Sequence, residues 1–341
     1  MISTDTVLVL GVGGSAGVNI CRALRQSGRV RKLIGTDLHA HRLEVPDIDT
    51  GYVLPRTDNP DRLGMIRGIV ETESAGVVYA QADAEVAWLA KHRSVLPCVP
   101  LPSDAALQRC SDKLVLSRIL DRAGVAVPMS EAFHPLTVEA DVSAAIGRGD
   151  RAWIRARCGA GSKASLPIAN GRQARAWVEW WGWSRGLAPQ DFMVCEFLPG
   201  DEFAHQSVWR DGMLVASVTR QRLEYIFAEQ MPSGQSSTPS RARIVHRPDV
   251  NAIAERAVRA INGTPNGVYG VDMKCRADGQ PCVTEINAGR FYTTSAFYAA
   301  AGANLPAALI LPDGDDLKLG VDPIPEGVEW IRTLDAEPVI Q

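Results

Sequence analysis

Residues Gly267 to Arg290 read Gly-Val-Tyr-Gly-Val-Asp-Met-Lys-Cys-Arg-Ala-Asp-Gly-Gln-Pro-Cys-Val-Thr-Glu-Ile-Asn-Ala-Gly-Arg. Two β-favouring runs, Val268 to Cys275 and Pro281 to Ile286, flank Arg276-Ala277-Asp278-Gly279, in which Asp-Gly is a strong turn signal, so the stretch predicts a β-hairpin. Asp272 then lies on the first strand, and Glu285 and Asn287 on the second. Side chains alternate faces along a strand, so Glu285 and Asn287 point the same way while Ile286 points into the opposite layer. Folding Asp272 back beside them gathers three oxygen-bearing side chains on one surface. Mg²⁺ suits such a set, because it takes hard oxygen ligands from one or two carboxylates and leaves positions for water and phosphate oxygens. Acidic residues on a hairpin are more often merely solvated, so the rest of the chain has to decide.

A chain of 341 residues exceeds what one hydrophobic core usually supports, and two or three domains are expected. With 46% hydrophobic and 22% charged residues the composition is that of an ordinary soluble globular protein. The net charge of -3 gives no reason to expect a nucleic acid or an anionic membrane as partner. Seven cysteines are scattered without a C-x-x-C pair, which indicates neither a zinc site nor a redox dithiol and fits a reducing cytoplasm. The N-terminus has no basic region, and no run approaches the roughly 20 apolar residues that span a bilayer. A cytoplasmic location is expected.

Thr6 to Leu10 reads as a buried strand entering Gly11-Val-Gly-Gly-Ser-Ala-Gly17, with helix over Val18 to Gln26 and a second strand ending at Asp37. This glycine-rich turn with an acidic residue twenty positions after its last glycine matches the dinucleotide fingerprint, which makes an NAD(P)-binding oxidoreductase the rival reading. Equally, any strand that turns tightly into a helix needs small residues there. Helices over Met65 to Glu71 and Glu85 to Lys91 and strands over Ala75 to Ala80 and Pro97 to Leu101 predict a parallel, doubly wound sheet across roughly the first 105 residues. Asp83 and Glu85 read as helix-start charges.

From Ser111 the style changes. Ser111-Asp112-Lys113 opens a capped helix, and a Lys inside a helix start opposes the macrodipole unless an anion is near. Ala152 to Arg157 is a strand with Arg155 and Arg157 on one face. It leads into Cys158-Gly-Ala-Gly-Ser-Lys163, a loop able to lay N–H groups and charge over a polyphosphate. Trp177, Trp180 and Trp181 at helical spacing read as packing. Phe192 to Glu202, Phe203 to Trp209 and Met213 to Arg222 form an antiparallel meander, with Arg220 and Arg222 again sharing a face. Ala228 to Ser240 reads as a lid or substrate loop, and Val250 to Ile261 as an amphipathic helix. Thr294 to Ala301 and the stretch from Gly302 read as helices, and the last ~25 residues as loop.

Taken in order, these elements resemble the ATP-grasp enzymes, in the style of the carbamoyl phosphate synthetase large subunit and the carboxylate-amine ligases. The resemblance rests on the Ser-Asp-Lys113 helix, the Arg155 strand with its Gly-Ser loop, Glu196-Phe-Leu-Pro-Gly200-x-Glu202, and Asp272 with Glu285-Ile-Asn287. It implies an α/β and α+β chain: a Rossmann-like domain over 1–110, a small lobe over 111–192, a large lobe with the metal site over 193–315, and a tail. It also implies roles. Lys113 and Arg155 would meet ATP phosphates under the Gly159, Gly161 and Ser162 loop. Glu196, Phe197 and Leu198 would hold adenine, and Glu202 the ribose. Asp272, Glu285 and Asn287 would bind Mg²⁺, with Mn²⁺ as a substitute. Arg290, Arg220 and Arg222 would hold the acceptor. The expected reaction is ATP-dependent amide formation from small-molecule carboxylate and amine substrates, with a homodimer compatible and a catalytically silent ATP-binding module as the third reading. The family's usual Asn-Pro-Arg is here Asn287-Ala-Gly-Arg290, one residue longer. A single ATP-grasp unit argues against carbamoyl phosphate synthesis itself.

Overall fold

The computed structural model describes residues 3–97, 99–147, 149–159, 161, 164–236, 238–311 and 319–333. Four parallel strands form the first sheet, in the order Thr50–Val53, Lys32–Asp37, Ser3–Leu10, Ala75–Ala80. Val7, Leu8, Val9 and Leu10 are fully buried in succession, the pattern of a parallel strand covered on both faces. Helices Ser15–Gln26, Arg62–Glu73 and Asp83–Lys91 surround it. The strand expected over Pro97 to Leu101 is not formed among its described residues. That segment brackets Val78 with two backbone bonds, Val78 N to Pro97 O at 2.8 Å and Val99 N to Val78 O at 3.2 Å. Pro97, Pro100 and Pro102 have no N–H to donate, so a regular ladder cannot continue along it.

The rest of the chain builds two antiparallel sheets. The small one runs Ser130–Ala132, Phe192–Glu196, Ala152–Ala156, Leu166–Ile168. The large one runs Pro281–Ala288, Gly267–Cys275, Glu202–Arg210, Met213–Tyr225, Pro239–Ile244, Glu329–Ile331, with Gly320–Val321 paired to Met213–Tyr225. The predicted hairpin is therefore present, and Gly279 takes the left-handed conformation its turn requires. The carboxyl-terminal stretch expected as loop instead supplies two short strands. They are too brief and too rich in proline neighbours to show an alternating pattern.

Because Phe192–Glu196 pairs inside the small sheet, the chain passes between the sheets at residues 197–201, later than the expected boundary at 193. Helix Lys113–Arg122 bridges the two: Leu116 and Leu120 pack with Phe203, Met273 and Ile286 of the large sheet, while Leu114 packs with Met193 and Cys195 of the small one. Helix Pro248–Ile261 joins that core through Val250, Ala254, Ala257, Val258 and Ile261. Helix Gly171–Arg185 covers the small sheet, with Trp177 and Trp181 packed on its core while Trp183 is 86% exposed. After the hairpin, helices Ser295–Ala300 and Leu305–Ile310 return to helix Ser15–Gln26, and their apolar residues merge with the core of the first sheet. Among the described residues no helix is long and apolar enough to cross a membrane.

Behind the large sheet His205 is completely buried. The Thr219 hydroxyl donates to Asn251 Oδ1 at 2.6 Å, so it accepts from His205 Nδ1 at 2.8 Å, and Nε2 is left with no partner. Burial lowers the imidazole from 6.5 to about 4. As pH falls through 6.5 the unfolded chain takes up a proton that the native one refuses, so stability is lost between about 6.5 and 4. On replacing His205 with Asn, which keeps a donor toward Thr219, denaturant titrations at pH 7 and 4.5 should show the acid loss reduced by about 2–3 kcal/mol relative to wild type.

Candidate functional site

The large sheet presents its polar residues as a lattice. Cross-strand partners share a face, so pairing defines rows. One row runs Glu285, Asp272, Ala204, Arg220, and the row beside it Lys274, Glu202, Arg222. A third carries Asn287, Gly270, Gln206, Val218. The predicted metal set is thus assembled: Asp272 and Glu285 are direct neighbours, and Asn287 Nδ2 donates to Asp272 Oδ2 at 3.1 Å. Tyr292 lies across the lattice, its hydroxyl donating to Asp272 Oδ1 at 2.8 Å. A Cβ on Gly270 would sit 2.8 Å from the Tyr292 ring, which is why that strand position has no side chain.

The small sheet faces this surface across an open cleft. Arg155 reaches over it to donate to Glu285 Oε2 at 3.0 Å and to Thr284 O at 3.3 Å. Lys113 Nζ donates to Gly159 O at 2.7 Å and lies 3.6 Å from the same carboxylate oxygen. Glu202, Arg222, Lys274, Phe197, Leu198, Gln235 and Ser236 also line the cleft. Gly159 and Gly161 both have positive φ, the loop backbone that only glycine adopts freely. Ser162 and Lys163 lie outside the described residues.

Charge is closely matched here. Burial pushes Asp272 up, and the Glu285 charge adds to the effect against the pull of Arg222. Burial also works against ionised Glu285, but Lys113 and Arg155 outweigh it and hold that carboxyl below its usual range. Glu202 is held low in the same way, Arg222 and Lys274 overcoming burial. Burial lowers Lys113 despite Glu285. Arg222 donates to Glu202 Oε1 at 2.8 Å and to Asp272 Oδ1 at 2.6 Å. The buried Nε atoms of Arg155 and Arg222 have no partner among the described residues. Two adjacent carboxylates and an amide oxygen fit Mg²⁺ in kind, and Asp272, raised by burial and then by the Glu285 charge, is a group that a dication would draw into its ionised form.

Several expectations change. Glu196, expected to meet the adenine amino group, lines the cleft and also receives Arg276 at 2.8 and 3.0 Å and the Met129 amide at 3.2 Å, which clamps the crossing between the sheets. Arg157 binds the helix-capping Asp112 and leaves Arg155 as the strand's cleft-facing cation. Arg222 is bound to the carboxylates of the lattice. Arg220 is 1% exposed and lies under Tyr292, away from the cleft lining. Arg290 turns back to Asn287 Oδ1 and pairs with Asp83, which is both a helix-start charge and a link to the first sheet. The additional residue makes this possible: Gly289 has φ +84° and passes so close to Val86 that a Cβ would lie 2.6 Å away. The N-terminal glycine loop is filled from within, Asp37 Oδ2 accepting from Gly13 N at 3.0 Å and Arg42 packing where a Gly13 Cβ would be. Lys274 was legible, two places from Asp272 on the same face. Tyr292 carried no sequence signal.

A family model described as the ATP-grasp domain matches residues 110–294, more than half of the chain. The chain belongs to the ATP-grasp family. No curated protein matches it in sequence. Among solved structures, this ATP-grasp chain is similar to the L-amino acid ligase of Bacillus licheniformis (TM-score 0.65, 14% identity, 89% of this chain and 74% of that one). It also resembles the N5-carboxyaminoimidazole synthase of Aspergillus clavatus in complex with ADP and its aminoimidazole ribonucleotide (0.65, 15%, 93% and 80%). A third is the biotin carboxylase domain of Hydrogenobacter thermophilus 2-oxoglutarate carboxylase with MgADP and bicarbonate (0.68, 12%, 95% and 73%). At such identities the likeness establishes the shared architecture of an ATP-grasp domain behind a parallel-sheet domain.

Replacing Arg222 with Ala would leave Glu202 and Asp272 desolvated without their shared cation. Denaturant unfolding should then show a loss of about 3–5 kcal/mol, whereas Lys113→Met, which removes a cation whose charge burial already disfavours, should cost less.

Proposed function

We propose that the protein is an ATP-dependent ligase that joins a small-molecule carboxylate to an amine, releasing ADP and phosphate. The observation that carries this is the meeting of Arg155 and Lys113, from the small-sheet side of the cleft, with the Glu285 and Asp272 carboxylates of the large-sheet hairpin. Cations and metal-type oxygens facing one another across a cleft suit a nucleotide triphosphate. Phe197, Leu198 and Glu202 line the same cleft; in this reading Phe197 and Leu198 would hold the base and Glu202 the ribose. The solved relatives named above, an amino acid ligase and two enzymes that carry nucleotides in their structures, point the same way.

A carboxylate is a poor electrophile. Attack of one of its oxygens on the γ-phosphorus, with the bond to the β-phosphate oxygen breaking and ADP leaving, gives an acylphosphate. The amine then attacks the acyl carbon, loses a proton, and expels phosphate. Lys113 and Arg155 would neutralise the charge on the transferring group and the leaving phosphates, so that the protein's contribution is positioning and compensation of charge. Mg²⁺ bound by Asp272, Glu285 and Asn287 would polarise phosphate oxygens. Arg290, tethered by Asp83 and Asn287, would stand beside the transferring phosphoryl group or the acceptor. In this reading the first sheet, up to about residue 110, is a leading domain that closes one side of the acceptor cleft.

Glu285→Gln keeps an acceptor for Arg155 but removes the charge a cation needs. ADP release, screened with pooled amino acids, other carboxylates and amines, should fall at least ~100-fold with an unchanged far-ultraviolet circular dichroism spectrum. Undiminished turnover would refute the metal assignment. Tight ATP binding without ADP release for any pair of compounds would instead favour a silent nucleotide-binding module.

A further inference from the structure

Arg220 is the anomaly of the lattice. It occupies the row of Glu285 and Asp272 but two strands from Asp272, roughly 10 Å at ordinary strand spacing. Its neighbour Arg222 has two carboxylate partners, whereas Arg220 has none among the described residues. One bond to Thr294 Oγ1 is made, and Nε is buried with no partner. Tyr292, Tyr298 and Trp330 hold its guanidinium at 4.7, 5.5 and 5.5 Å from their ring centroids. Cation–π contacts offset part of the cost of burying a cation, but they leave the charge itself uncompensated.

More unpaired polar atoms surround it. Gln206 Nε2, Ser295 Oγ and Trp330 Nε1 are all buried and without partners among the described residues. Arg332, just past the final short strand, is tied to Ser240 O through its backbone and to Thr293 Oγ1 at 3.5 Å through its guanidinium. Burial and the Arg220 charge together lower its proton affinity, so two like charges lie near one another, and among the described residues neither is paired with an acid. The Tyr292 ring stands between this pair and Asp272, so Arg220 cannot clasp a carboxylate that is being phosphorylated beside the hairpin.

We infer that Arg220 and Arg332 form an anchor for a second anionic group, a carboxylate or phosphoryl group carried by one of the organic substrates on the far side of Tyr292 from the reacting atoms. The inference rests on the ligase reading and narrows its substrates to compounds with a negative group remote from the bond being made. Arg332, half-buried, is the contact that an arriving anion meets, and Arg220 supplies fixed positive charge behind it. The carboxyl-terminal strand is thereby part of the substrate site.

The test uses the full chain with Mg²⁺ and saturating AMP-PNP, into which glutarate, butyrate and inorganic phosphate are titrated by calorimetry. Glutarate should bind at least tenfold more tightly than butyrate. Arg332→Gln, chosen because Arg220 is too buried to replace safely, should erase that difference while the Kd for AMP-PNP stays within twofold. Phosphate binding that Arg332→Gln removes would support the anchor with a phosphoryl group as its ligand. Anion affinities equal in the two proteins, or no anion binding to the AMP-PNP complex, would overturn the anchor. Failure of wild type to bind AMP-PNP would overturn the ligase reading instead.

Discussion

Two carboxylates side by side on a buried sheet face cannot both ionise unless cations are brought to them, and in this protein that constraint organises everything around the hairpin. Asp272 and Glu285 are adjacent through strand pairing, and neither position can move without changing the register. Their compensation comes from two directions. Arg222 arrives from within the same sheet, whereas Arg155 and Lys113 arrive from across the cleft. The second group couples the small sheet to the large one through ion pairs, contacts that a polyanion and its metal would replace under the proposed function.

A similar logic applies at the ends of the hairpin. Gly200 N and Cys275 N bond across to Cys275 O and Asp201 O, tying the crossing between the sheets to the first hairpin strand. Beyond the second strand, Gln81 exchanges two bonds with the backbone of Phe291, and Arg290 pairs with Asp83. The hairpin is consequently fixed to all three sheets, and the carboxyl end of the parallel sheet is placed against the far edge of the cleft. Open α/β sheets present their ligand-facing loops at that end. Here the loop after Leu10 is closed by Asp37, while strand Ala75–Ala80 delivers Gln81 and Asp83 toward the hairpin.

Polar residues in the large sheet divide into those with a structural partner and those without. His205, Thr219 and Asn251 form a chain behind the sheet that continues to Asp322, fixing the carboxyl-terminal segment against the meander. Arg222, Glu202 and Tyr225 form a second such set at the cleft wall. Arg220 stands apart because, among the described residues, its positive charge meets aromatic rings and no carboxylate.

The hairpin, its turn and its three oxygen-bearing side chains were readable from local chemistry alone. Strand alternation and Asp-Gly turn preference are properties of a few consecutive residues. The same holds for the Asp112 cap, the amphipathic helix Pro248–Ile261 and the parallel strands of the first sheet. Which cation serves which acid was not readable. Arg155 and Arg157 are equivalent by alternation, yet one crosses the cleft and the other holds the capping Asp112; Arg220 and Arg222 are equally alike, yet Arg222 has two carboxylate partners and Arg220 has none among the described residues. Glu196 was expected at a base and is held by Arg276, 80 positions on. These pairings depend on distances between segments far apart in the chain, and a charged side chain is assigned by whichever partner the packed backbone brings within reach. The sequence by itself determined the local frame and the kinds of chemistry on it, and only the tertiary structure decided the partners, because Coulomb and hydrogen-bond energies act through space and not along the chain.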